Sequence, residues 1–185
     1  ILEDIEALPK SILFWRMMTH WVGGLGIVFF TVAVFPMFGL NDIKLFSAES
    51  VGPMRSKLHP RISVTARWIL TIYIALTIIC AVSLNVAGMD WFGSVCHSMS
   101  TIATGGFSTK QASIAAFNSP AIEYVITFFM FVSGVNLSLL YLALFKFRPM
   151  TLLRDTEFKT YLIIVSVFTL AIGVGLFFTT NEGVE

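Results

Sequence analysis

Four apolar stretches, each close to bilayer length and nearly free of charge, constrain this chain more than any motif in it. They run from about Trp21 to Leu40, Trp68 to Gly88, Pro120 to Phe145 and Thr160 to Thr180. About 20 apolar residues in a helix cover a hydrocarbon core of roughly 30 Å, so each stretch is long enough to cross a membrane once. Only 12% of the 185 residues are charged, against about 25% in an ordinary soluble domain. Mean hydropathy is +0.83. These features exclude a soluble globular fold and predict an all-α membrane protein with four transmembrane helices.

The residues between the stretches set the orientation. The segment Asn41 to Arg67 carries Lys44, Arg55, Lys57, Arg61 and Arg67, and the segment after the third stretch carries Lys146, Arg148, Arg154 and Lys159, so nine of twelve basic residues fall on one side. By the positive-inside rule that side is cytoplasmic. The opposite side is mildly acidic, with Glu3, Asp4, Glu6, Asp90, Glu182 and Glu185, which favours cations over anions. The net charge of +1 and the lack of a basic stripe argue against nucleic acid as a partner. Trp21, Trp68, Tyr124, Tyr141 and Tyr161 lie near the ends of the stretches, where aromatic rings anchor helices at the headgroups. Residues 2–20 mix charged and apolar side chains in a pattern suited to an interfacial amphipathic helix opened near Pro9. Pro36 is expected to bend the first span.

Cys80 and Cys96 have neither CxxC spacing nor a His/Cys cluster beside them, which points away from a disulfide framework and a structural metal. The chain opens at Ile1 without a signal-peptide pattern and ends at Glu185 just past an apolar stretch, so both ends are expected to be cuts in a longer protein.

The segment from Met89 to Ser119 is too apolar for a solvated loop and too interrupted for a span. Asp90 can cap a helix reaching about Thr101, roughly 16 Å long, which is half the membrane depth. Six extended residues then suffice to climb back out by about 20 Å. Non-helical backbone at that depth is stable only when protein surrounds it or when it lines a wet path. Carbonyls there suit a cation shedding its water, and the negative end of the half-helix points into the same space. Gly105 and Gly106 are expected to take positive φ and turn successive carbonyls toward one axis. The hydroxyls of Ser98, Ser100, Thr101, Thr104, Ser108 and Thr109 can bond backbone or line such a path without adding charge. An external Gly-Gly turn is the alternative these residues leave open.

Particular residues decide further. The segment His97 to Thr109, HSMSTIATGGFST, resembles the second filter loop of the TrkH branch of the TrkH/KtrB/HKT superfamily of potassium transporters. The likeness continues through FWRMMTHWVGGLGI (Phe14 to Ile27), AESVGP (Ala48 to Pro53), PRISVTA (Pro60 to Ala66), SGVNLSL (Ser133 to Leu139) and LRDTEFKTYL (Leu153 to Leu162). The resemblance implies a fold of four helix, pore loop, helix repeats around one central pore. This chain would supply the end of repeat one (1–40), a cytoplasmic basic loop (41–67), all of repeat two (68–145, with its pore loop at 90–110), a second cytoplasmic loop (146–159) and the first helix of repeat three (160–185). RWILTIYIALT from Arg67 and KTYLIIVSVFT from Lys159 recur 92 residues apart, which agrees with such a repeat.

The resemblance further implies a quarter of a potassium filter, formed by the backbone carbonyls of Ile102, Ala103, Thr104, Gly105 and Gly106, with Gly105 as the matching filter glycine. Asp90, Ser100 and Thr101 would support the pore helix and filter. Asn136 would line the path or hydrogen-bond between helices. His20 departs from the family pattern, which has Gln there; it either makes the start of the first span pH-sensitive or sits as an ordinary interfacial histidine. Gly23, Gly24 and Gly26 read as close-packing positions.

Three functions compete. The first is potassium uptake across the plasma (inner) membrane as the pore-forming subunit of a Trk-type system, with potassium as substrate, no cofactor and no enzymatic activity. The second is a non-conducting membrane scaffold or assembly subunit. The third is an intramembrane hydrolase using Ser98, Ser100 or Cys96 with His97, for which neither a nucleophile elbow nor an oxyanion hole is evident. The resemblance implies, as partners besides the lipid bilayer, a second copy in a homodimer and a cytosolic nucleotide-binding regulatory subunit of the TrkA type. It also places the gate beyond Glu185.

Overall fold

A computed structural model describes residues 4–34, 62–137, 139–140, 143 and 149–182. The expected bend at Pro36, the basic residues Lys44, Arg55, Lys57, Arg61, Lys146 and Arg148, and the anchor Tyr141 lie outside the described residues. All regular elements among the described residues are helical: α1 (Lys10–Val34), α2 (Ile62–Val86), α3 (Trp91–Ile102), a short 3-10 helix (Ser113–Phe117), α4 (Pro120–Ser133), α5 (Pro149–Arg154) and α6 (Thr156–Glu182). They form two compact units, Ile1–Leu137 and Ser138–Glu185, a coarser division than the five segments expected from the repeat map.

In the first unit α3 is the common element, packed against α1, α2 and α4. Helix α2 explains why a doubly apolar sequence folds this way. Ile69, Ile72, Tyr73, Leu76, Thr77, Cys80, Ala81 and Leu84 recur at helical spacing and are buried. Ile74, Ile78, Ile79 and Val82 on the other face are exposed, as expected of a helix that turns one side to protein and one to lipid. Two described helices are long and apolar enough to cross a membrane, over Trp68–Val86 and Thr156–Phe178.

Three boundaries differ from expectation. The amphipathic segment before Trp21 is not a separate interfacial helix; it runs unbroken into the first span as α1, which starts directly after Pro9. Nothing between Met17 and Val22 removes a backbone donor or favours a left-handed residue, so the helix has no reason to stop there. Helix α2 starts at Ile62 rather than Trp68 and so takes in Arg67. The third apolar stretch is interrupted: α4 ends at Ser133, with Gly134 as its cap, the Gly134 N–H bonds Met130 O at 3.2 Å and the Val135 N–H bonds Val132 O at 3.1 Å, and Leu137, Leu139, Leu140 and Ala143 are helical again. Glycine has poor helical propensity, and the Ser133 hydroxyl competes by donating to Met130 O at 3.0 Å.

Trp21, expected as a headgroup anchor, also joins two helices. Its indole N–H donates to Thr77 Oγ1 at 3.0 Å, and its backbone carbonyl accepts from the Tyr73 hydroxyl at 3.0 Å, which ties α1 to α2. Gly24, one turn further on, is where α1 approaches most closely. A Cβ there would lie 2.9 Å from Tyr73 Oη and 3.1 Å from Ala103 Cβ. Gly23 and Gly26 meet no such neighbour among the described residues.

In the second unit, Asp155 caps α6 by accepting the N–H groups of Glu157 (2.9 Å) and Phe158 (3.3 Å).

Candidate functional site

The candidate site begins with a tight descent from α2 into α3. The Met89 N–H reaches Leu84 O at 3.1 Å and the Gly88 N–H reaches Asn85 O at 3.0 Å, with Gly88 at φ +102°. This is a Schellman ending, whose left-handed position glycine fills without strain. Two residues later Asp90 caps α3, accepting the Gly93 N–H at 3.1 Å. The Ser94 hydroxyl donates back to Asp90 O at 2.9 Å. Helix α3 has 12 residues, about 18 Å at 1.5 Å per residue, too short to cross a membrane. Ser94, Cys96, His97, Ser98, Ser100 and Thr101 are all buried along it. Small side chains let three helices close around α3, and hydroxyls can satisfy themselves on nearby carbonyls.

The far end of α3 is a second Schellman ending. Thr104 N–H bonds Thr101 O at 3.1 Å and Gly105 N–H bonds Ser100 O at 2.8 Å. The left-handed residue is therefore Thr104, at φ +54°, and not Gly105. Gly106 has the expected positive φ, +71°. The correction follows from helix-end geometry: the position after the cap must be left-handed to aim the next N–H back at α3, and here that position holds a β-branched residue. A left-handed conformation costs an L-residue about 1–2 kcal/mol, partly offset here by the Thr104 hydroxyl donating to Ala103 O at 2.7 Å.

Beyond the turn, Phe107 N–H donates to the Ser100 hydroxyl at 3.0 Å. Ser100 thus accepts two loop N–H groups, one on its carbonyl and one on its side chain. The Ser133 hydroxyl, whose one proton is shared between Met130 O (3.0 Å) and Thr101 O (3.3 Å), brings the same turn to the end of α4. The Phe107 ring lies against α1: it stacks on His20 with centroids 4.7 Å apart at 28°, and the Arg16 guanidinium carbon is 4.8 Å from its centroid.

The rest of the return path is fixed by His97. Its Nδ1 lies 2.8 Å from Gly93 O, which can only accept, so Nδ1 carries the proton; Nε2, 2.9 Å from Ser108 Oγ, then accepts from that hydroxyl. Ser108 Oγ in turn accepts the Lys110 N–H at 3.0 Å. The pairing resembles a nucleophile and its base, but among the described residues the ring nitrogens bond Gly93 O and Ser108 Oγ and no carboxylate. Ser98, a candidate nucleophile, donates instead to Val95 O at 2.9 Å.

Glu6, from the segment before α1, accepts the Gln111 N–H (3.2 Å) and pairs with Lys110 Nζ (3.2 Å) at an exposed position. Both contacts lower its carboxyl pKa from 4.5, the Gln111 N–H contributing most.

The predicted residues therefore come together in part. Asp90, Ser100 and Thr101 each hold one end of α3 or the loop beyond it, and Ile102 to Gly106 form that loop, with Ile102 buried and Thr104 and Gly106 exposed. Asn136 stands apart from this set, exposed and outside the helix just past the end of α4. Phe107, His97 and Ser133 were missed as supports. The i, i+4 spacing of Arg16 and His20 was legible, but not what their shared face would meet. Thr104 lines two cavities, one of about 250 Å3 with His97, Ser100, Met130 and Ser133, and one of about 190 Å3 with Gly24, Tyr73, Ala103 and Leu137. Among the described residues no three His, Cys, Asp or Glu side chains gather as metal ligands.

Comparison with known proteins gives a consistent result. Residues 1–181 match the TrkH family profile, described as a cation transport protein. The chain is 42% identical over 163 residues to the Trk system potassium uptake protein TrkH of Escherichia coli K12, covering 87% of this chain and 34% of that protein. To the TrkH of Halomonas elongata it is 37% identical over 182 residues, covering 98% and 38%. The crystal structure of the potassium transporter TrkH from Vibrio parahaemolyticus superposes with a TM-score of 0.75 at 37% identity, covering 91% of this chain and 33% of that one. The chain thus spans about a third of the length of these relatives, and the superposition bears out the expected all-helical membrane fold.

Proposed function

Because the chain belongs to the TrkH family of cation transport proteins, we propose that it is part of the pore-forming subunit of a potassium uptake system in the plasma (inner) membrane. Potassium passes inward through a filter to which Ile102, Ala103, Thr104, Gly105 and Gly106 contribute backbone carbonyls. The observation that carries this reading is the unwound turn at the end of the half-length helix α3, held open by Ser100 rather than collapsed into helix.

Each part has a physical role. Carbonyls replace the ion's water shell, and the C-terminal end of α3 adds its partial negative charge in the same place. Asp90 fixes where α3 starts, and Ser100 and Thr101 fix where it ends. Asn136 steadies the chain after α4 behind the filter. The membrane potential supplies about 2.3 kcal/mol per 100 mV for each entering cation. Potassium is the cargo, and the residues need no cofactor or covalent chemistry to move it. The loops at 41–67 and 146–159 face the cytoplasm, where a TrkA-type nucleotide-binding subunit docks, and the transporter works as a homodimer.

The test is Gly105→Asp in the full-length transporter, expressed in cells lacking other potassium uptake. Rubidium uptake should collapse or lose selectivity. Unchanged uptake and selectivity remove the filter assignment, and wild-type protein that carries no potassium in reconstituted vesicles returns the scaffold reading.

A further inference from the structure

We propose that Arg16 and His20 are positioning residues for cation selection, acting on the filter loop through Phe107. The inference rests on the reading of Ile102 to Gly106 as filter, and adds an element to it from outside repeat two.

Arg16 and His20 are one helical turn apart and so share a face of α1. That face meets the residue that follows Gly106. The Phe107 ring stacks on His20 and lies under the Arg16 guanidinium, while the Phe107 N–H is fixed on Ser100, whose carbonyl also takes the Gly105 N–H. Phe107 is therefore held by its ring to α1 and by its backbone to α3, with the filter turn between the two attachments. Helix α1 also approaches the turn itself, since a Cβ built on Gly105 would lie 3.4 Å from His20 Nδ1.

Arg16 Nη1 and His20 Nδ1 are buried and make no hydrogen bond among the described residues. Buried polar atoms in that state are rare and costly. Both side chains pack against the Phe107 ring, so the loop and α1 constrain each other. A shift of α1 displaces Phe107 and with it the carbonyls upstream.

Kinetics in the full-length transporter test this, with initial rates of rubidium and sodium uptake measured at equal membrane abundance. Phe107→Leu should raise the rubidium KM and lower the rubidium-over-sodium preference by about threefold to tenfold, the scale of a lost cation–π and stacking contact. Phe107→Tyr should keep both. Arg16→Met should reproduce the loss, and the double variant should be no worse than either single, because both remove one interaction. Additive losses, or an unchanged KM and preference, overturn the clamp. If Phe107→Leu does not reach the membrane, His20→Leu decides: a raised KM supports the clamp, and wild-type kinetics overturn it. Wild-type protein without selective rubidium uptake overturns the filter reading and the clamp together, whereas selective wild-type uptake with insensitive variants overturns the clamp alone.

Discussion

The Ser100 hydroxyl accepts the Phe107 N–H at 3.0 Å across seven residues, and the turn at the end of α3 is the stretch of chain enclosed between them. Ser100→Ala removes that acceptor and leaves a partly buried N–H unpaired, at a cost of about 1–3 kcal/mol. The expected outcome is a higher rubidium KM in transport assays at unchanged membrane abundance. A wild-type KM would show that the loop does not depend on this bond.

Thr104 separates stability from function. Thr104→Gly relieves a left-handed β-branched residue, a gain of about 1–2 kcal/mol that the flexibility of glycine reduces to about 0.5–1. Detergent-solubilised protein should therefore melt slightly higher while rubidium uptake falls, because the loop loses a fixed carbonyl geometry. Gly106→Ala should do the opposite to stability, at a cost of about 1 kcal/mol, since alanine must adopt the same positive φ. A variant pair that melts identically would contradict the assigned backbone.

Gly24 and Gly23 form an internally controlled pair. A methyl at Gly24 would press on Tyr73 Oη and Ala103 Cβ, so Gly24→Ala should destabilise by about 1–3 kcal/mol. Gly23→Ala, open among the described residues, should be neutral or slightly stabilising through helical propensity. Thermal melts of the two variants check the contrast.

Glu6 makes one exposed contact pH-dependent. Its folded pKa is depressed by the Gln111 N–H and then by Lys110, so its contribution is complete above the ordinary value of 4.5 and is lost as pH falls through the lower folded value. Glu6→Gln should therefore melt below wild type near neutral pH, and the difference should vanish in acid. A difference that persists at low pH would assign the effect to something other than this carboxylate.

Much of the site was legible because it depends on local rules. The start of α3 followed from Asp90 and its length from the apolar run, both properties of a dozen neighbouring residues. The left-handed residue was misplaced onto Gly105 because sequence favours glycine wherever φ is positive, whereas the helix-end hydrogen bonds select a position regardless of which residue fills it. The early end of α4 was hidden for a related reason: apolar residues resume with Val135 and Leu137 and outweigh Ser133, Gly134 and Asn136 in a hydropathy average, whereas the backbone geometry at Ser133 and Gly134 ends the helix. Phe107 read as one more apolar residue, since its partners lie about ninety positions earlier in the chain.

The turn between α2 and α3 has no slack. Gly88 and Met89 donate their N–H groups back to α2, and Asp90 is already committed to α3. Two helices joined in this way act as a bent lever rather than as beads on a string. A tilt of α2 is therefore passed to α3 at the joint instead of being absorbed by it.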